Sequence, residues 1–218
     1  MGAAQIPTVD DCKEACERFD EENAPAEWLL EQLFQKYPRN NDPTEVLLKT
    51  QVLNALYNTH IIAVRKVADH ITSLASLDSL IAAGSPDAVD LITHVTISGK
   101  KYRFFSFASK YCSWHNPTAY PIYDGNVEGC LWYYRMRDEF TTFARDGYDY
   151  AEFVRIVTAF RKHYGLDSFT FKQLDALLYY RGAELKKLSV RRSQLDAGGQ
   201  GSEEKWVGSG RGSKVTSI

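Results

Sequence analysis

The sequence holds 218 residues, with 26 Lys plus Arg against 28 Asp plus Glu, 44% apolar and 13% aromatic residues. Those fractions belong to a globular chain, and folding at this length buries roughly 70% of the unfolded surface. A net charge of −2 excludes any nucleic-acid surface built on overall charge, so such a surface has to come from local clustering.

No apolar run reaches the roughly 20 residues of a membrane span, and no signal-peptide pattern opens the chain. Cys12, Cys16, Cys112 and Cys130 lack the paired spacing of a disulfide scaffold, a zinc site or an iron–sulfur cluster. The histidines show no two-His helical ligand pattern. The expectations are a cytoplasmic monomer with no membrane association, no metal and no cofactor.

In chain order the apolar spacing is helical, with no convincing period-two run. One helix starts near Asp10, and a second carries Trp28, Leu29, Leu33 and Phe34 and stops before Pro38. Asn40-Asn41-Asp42-Pro43-Thr44 supplies a turn and a cap for a helix from Glu45 whose buried side is Val46, Leu47, Val52, Leu53, Leu56 and Tyr57. Further helices follow over 61–71, 76–83 and 86–94. Thr96-Ile97-Ser98-Gly99 interrupts the pattern and opens another helix running to Trp114. Asn116-Pro117 ends it, helicity resumes at Asn126, and two more helices fall near 149–164 and 170–184. The whole reads as one all-α domain over 1–188, followed by a flexible Gly/Ser-rich tail over 189–218.

One charge pattern departs from the ordinary. Between Asp90 and Asp124 there is no acidic residue, yet Lys100, Lys101, Arg103 and Lys110 lie there, interleaved with Tyr102, Phe104, Phe105, Phe107, Tyr111 and Trp114. Lysines at a glycine turn and helix start suit phosphates, and the aromatic faces suit bases or a core. Helical spacing of Phe104, Phe107, Ala108 and Tyr111 also fits plain packing, with the bases a solvated face. Asp124 then precedes a helix, where an aspartate is equally at home as an N-cap.

The string Tyr120-Pro121-Ile122-Tyr123-Asp124-Gly125-Asn126-Val127 resembles the catalytic-aspartate segment of the helix-hairpin-helix DNA glycosylase superfamily, whose adenine-specific members carry a similar Pro-Ile-hydrophobic-Asp-Gly-Asn-Val. The likeness spans about residues 45–135, with Gly99 in the hairpin's place and Val52–Thr59 at the end of the base-intruding helix. Three features depart from the pattern: a single hairpin glycine, a longer Gly99-to-Asp124 spacer, and no iron–sulfur cysteine quartet.

The resemblance implies a helix-hairpin-helix glycosylase-like helical fold. It also implies an enzyme that binds double-stranded DNA, flips a modified base and cleaves its N-glycosidic bond. Asp124 is then the carboxylate beside the sugar. Lys101, aligned on Gly99, or Lys110, fourteen residues before Asp124, is the candidate amine for Schiff-base chemistry; a water nucleophile is the alternative. Gly99, Lys100, Arg103 and Asn126 are the DNA contacts, and Asn54, Tyr57, Asn58, Thr59, His115 and Tyr123 the base-pocket candidates. The departures point to an uncommon base, such as the glucosylated hydroxymethylcytosine of phage DNA in an antiviral role. Ordinary base-excision repair, or a non-catalytic DNA-binding module of the same fold, stands as the alternative.

Overall fold

The structure, a computed structural model, describes residues 5–145 and 147–199, with side chains through residue 191. It is predominantly helical. Helix α1 (Val9–Lys36) begins at a capping box in which Thr8 and Asp11 satisfy each other's backbone N–H groups. The sequence reading breaks this stretch into two helices, but α1 runs through Pro25 as one element. Pro25 is exposed, so the donor it lacks leaves the carbonyl of residue 21 facing water rather than buried.

Asp42 accepts from the Thr44 and Glu45 N–H groups at 2.8 and 3.0 Å and starts α2 (Pro43–Tyr57), with proline at the first helical position. Helices α3 (Val64–Ser73), α4 (Leu77–Ala82) and α5 (Asp87–Thr93) follow.

The next segment corrects the sequence reading. Residues 94–103 form an antiparallel hairpin, β1 (His94–Ile97) with β2 (Lys100–Arg103), in which His94 faces Arg103 and Ile97 faces Lys100. The Ser98-Gly99 turn has positive φ at both residues, 51° and 80°, the two-residue turn whose twist matches paired strands. The helix expected from Gly99 therefore starts only at Phe105, as α6 (Phe105–His115).

Helices α7 (Gly125–Asp138) and α8 (Tyr150–His163) match their expected places. Helix α9 (Phe171–Gly199) runs past Leu188, so residues 189–199, expected as tail, are helical. The rest of that expected tail, 200–218, lies outside the described residues.

Helix α6 is buried along most of its length, with Phe105, Phe107, Ala108, Tyr111 and Cys112 in the core. Each large apolar side chain there contributes about 1.5–3 kcal/mol. Helix α9 packs on α7 and α1. Two buried cations tie these layers together. Arg181 of α9 donates to the Gln5 carbonyl and the Tyr134 hydroxyl and pairs with Asp11 at 2.7 Å. Lys49 of α2 donates to the carbonyls of Tyr37 and Arg39 and to Asn40 Oδ1. It thereby holds the α1–α2 connection against α6, where the Tyr111 hydroxyl reaches the same Asn40 oxygen at 2.6 Å.

Candidate active site

Asp124 is the N-cap of α7, and its Oδ1 accepts from the Asn126 N–H at 2.8 Å. Its other oxygen lies 3.7 Å from Lys110 Nζ. Lys110 projects from the buried face of α6, its side chain only 4% exposed, and donates to Ser106 Oγ at 2.7 Å and to the Tyr123 carbonyl at 3.1 Å. Burial lowers its amine from the ordinary lysine value, and the Asp124 carboxylate opposes that shift. Ser109, one position earlier, accepts from the Tyr123 N–H at 3.0 Å and clamps the loop that carries Asp124.

Lys110 and Asp124 share a cavity of about 270 Å³ with Glu27, Tyr57, Asn58 and Asp175. A larger cavity of about 710 Å³ adjoins it, holding Trp114, His115, Asp78 and Lys172; Phe19, Glu27, Tyr57, Ile122 and Asp175 line both. Tyr57 stands at the divide. Its ring lies 5.4 Å from the Lys110 ammonium, while its hydroxyl accepts from Trp114 Nε1 at 3.2 Å. Lys172 pairs with Glu27 and sits 4.7 Å over the Trp114 ring.

Asp175 is a site residue that sequence reasoning misses. Burial pushes its carboxyl up to about 7, with Lys110 acting against the shift and Asp124 with it. Its Oδ1 is sealed from solvent and has no hydrogen-bond partner. The signal in the sequence is a single carboxylate inside Leu174-Asp175-Ala176-Leu177-Leu178, where a solvated helix face has no reason to be so apolar. Glu27 and Lys172 carry no such mark.

The other candidates fall in three places. His115 lines the larger cavity with its Nε2 3.3 Å from Lys49 Nζ; burial and that ammonium push the imidazole down to about 3. A neutral ring facing a cation at Nε2 carries its proton on Nδ1. Asn54 spends its side chain locally, its oxygen accepting from Thr59 Oγ1 and the Ile61 N–H and its amide donating to the Ile61 carbonyl. Asn54 and Thr59 are thus the lock of the loop after α2, and neither lines the cavities. Asn58 ends α2 in the left-handed conformation and does line the smaller one.

Tyr123 reaches the site through its backbone, while its ring packs on Phe105 and Phe153. Gly99, Lys100 and Lys101 lie on the hairpin, both lysines exposed, and Lys101 lines neither cavity. Arg103 donates to the Tyr148 carbonyl at 3.1 Å and covers the Phe105 ring. Asn126 opens a third cavity of about 490 Å³ shared with Lys186, Lys187 and Arg191 of α9.

The family HI_0787_N, described as an N-terminal domain, matches residues 11–119, half of the chain. The chain belongs to that family. It is 39% identical over 141 residues to a Haemophilus influenzae protein described as "Uncharacterized protein", covering 64% of this chain and 67% of that one. No solved structure matches the chain. Among the described residues, no helix is long and apolar enough to cross a membrane.

Proposed function

We propose that this protein is a DNA glycosylase of the helix-hairpin-helix kind, flipping a modified base from double-stranded DNA and breaking its N-glycosidic bond. The observation that carries the reading is the buried Lys110 ammonium, 3.7 Å from the Asp124 carboxylate at the wall of one cavity. As the bond breaks, the base leaves with the bonding electron pair and positive charge grows on the sugar. A fixed carboxylate stabilises that charge. An amine that has lost its proton attacks the same carbon; the ring C–O bond then breaks, its oxygen takes up the proton shed by the nitrogen, and the nitrogen lone pair closes the C=N bond of a Schiff base. The depressed Lys110 amine suits that role. Of the two lysines left open by the sequence, Lys110 is the one beside Asp124.

A second reading rests on the same lysine. Its ammonium is satisfied by Ser106, Tyr123 and Asp124, as a purely structural buried pair would be, and the fold then serves as a non-catalytic DNA-binding module. One experiment separates the two. Duplexes carrying different modified bases are incubated with protein and borohydride, released bases are identified by mass spectrometry, and covalent adducts are resolved on gels. Base release lost in Asp124→Asn and an adduct lost in Lys110→Met support the enzyme. Tight binding with no released base from any duplex supports the module.

A further inference from the structure

We infer that the larger cavity is the outer half of the substrate site and receives a substituent of the base that is uncharged or cationic and rich in hydrogen-bond donors. This inference rests on the glycosylase reading. At about 270 Å³ the cavity beside Lys110 and Asp124 falls just below the range for drug-sized ligands, whereas 710 Å³ lies well within it. A flipped base fills the first and leaves the second unused. The two are continuous in their walls, because Tyr57 presents its ring to one and its hydroxyl to the other.

The lining sets the chemistry. Glu27, Glu31, Asp78 and Asp175 face the larger cavity against Arg39 and Lys172. His115 adds no positive charge, since its ring stays neutral at pH 7. With Asp175 only part-ionised at pH 7, Glu27, Glu31 and Asp78 still outnumber Arg39 and Lys172, and that surplus disfavours an anionic substituent. Two of these carboxylates already have cations, Glu27 with Lys172 and Asp78 with Arg39 at 3.9 Å. Asp175 Oδ1, at the divide between the cavities, has no donor at all. A buried acceptor left without a donor is destabilising, and a small turn of the Asp175 carboxyl into either cavity it lines brings that oxygen to a hydroxyl or amino group of the ligand. A site arranged this way discriminates against an analogue that lacks the donors.

The test uses four duplexes with a single cytosine that is unmodified, 5-hydroxymethylated, 5-carboxylated or 5-(β-glucosyloxymethyl)ated. Wild type is expected to release the glucosylated base at least about tenfold faster than the carboxylated one. Two exposed residues at the rim of the larger cavity, Gln35 and Ala82, allow it to be filled without touching the core. Gln35→Trp and Ala82→Trp are expected to slow release of the glucosylated base while leaving the hydroxymethylated one unchanged. Base release that ignores both the substituent and these variants overturns the inference and leaves the glycosylase reading intact. If none of the four loses its base, release from the wider set of modified bases decides the glycosylase reading, and calorimetry with the free nucleosides decides the cavity. Binding of the glucosylated nucleoside, weakened by Ala82→Trp, then supports it; binding of none of the four overturns it.

Discussion

Gly182 of α9 lies so close beneath Asn126 that a Cβ placed on it would stand 1.9 Å from the Asn126 carbonyl oxygen. No side-chain rotation relieves that contact, because both partners are backbone. The Asn126 N–H is the group that Asp124 caps, so the helix crossing of α7 and α9 fixes where the Asp124 carboxylate points. Gly182→Ala is therefore expected to destabilise by about 1–3 kcal/mol despite alanine's better helix propensity. Under the glycosylase reading it should also lower base release further than its loss of stability explains. Thermal unfolding with base release measured well below Tm checks both; an unchanged Tm would contradict the close approach.

Arg181 is the next test of the same crossing. It is 1% exposed and serves Asp11, Gln5 and Tyr134 together. Arg181→Met keeps most of the volume but removes the cation, leaving the Gln5 carbonyl to the Tyr134 hydroxyl and the Asp11 carboxylate to Thr8. The expected loss is about 3–5 kcal/mol, that of breaking one side of a buried pair. Chemical denaturation reads it directly, and a loss below about 1 kcal/mol would show the network to be dispensable.

Two buried groups give opposite pH signatures. His115 is held near 3 in the folded chain against an ordinary 6.5, so the unfolded chain binds the extra proton first. Stability should fall as pH drops from 6.5 toward 3, and His115→Gln should flatten that limb. Asp175 is raised to about 7 from 3.8, so the unfolded chain ionises first. Its contribution is fully present below 3.8 and is lost as pH rises through about 7. Asp175→Asn should therefore gain stability relative to wild type between pH 4 and 8. Tm profiles of the two variants, measured in one buffer series, are the check; parallel profiles would remove both assignments.

The helical frame is legible wherever a cap and a 3.6-residue apolar stripe agree. Asp42 before Pro43 and Asp149 before Tyr150 are such places, and both cap their helices, Asp149 accepting from the Glu152 N–H. The hairpin is hidden because its strands are four residues long and run into an aromatic stripe of helical period. Only Val95 and Ile97 alternate inward, and the cue is Ser98-Gly99. Asp124 stands out through its local string, and Lys110 is among the candidates from spacing. Asp175 and Glu27 are not, because their neighbourhood exists only once α9 and α1 close over α6. Sequence spacing says nothing of that meeting.

Under the glycosylase reading, two basic groups compete for the phosphates of the duplex. Lys100 and Lys101 project from the hairpin, exposed and far along the chain from the Asp124 cap. Lys186, Lys187 and Arg191 border a cavity with Asn126, two residues from Asp124, at the positive end of the α7 dipole. Under the glycosylase reading, phosphates flanking a flipped nucleotide must lie within a nucleotide or two of the reacting sugar, which favours the α9 group. Removing one phosphate-neutralising cation lowers the slope of log affinity against log salt by about 0.9. Lys186→Ala with Lys187→Ala should reduce that slope and slow base release. Lys100→Ala with Lys101→Ala should reduce the slope while sparing release once DNA is saturating. Titrations of both double variants at several salt concentrations decide it. An unaltered slope in the α9 pair would move the duplex off that face and leave the hairpin as its principal phosphate-binding element.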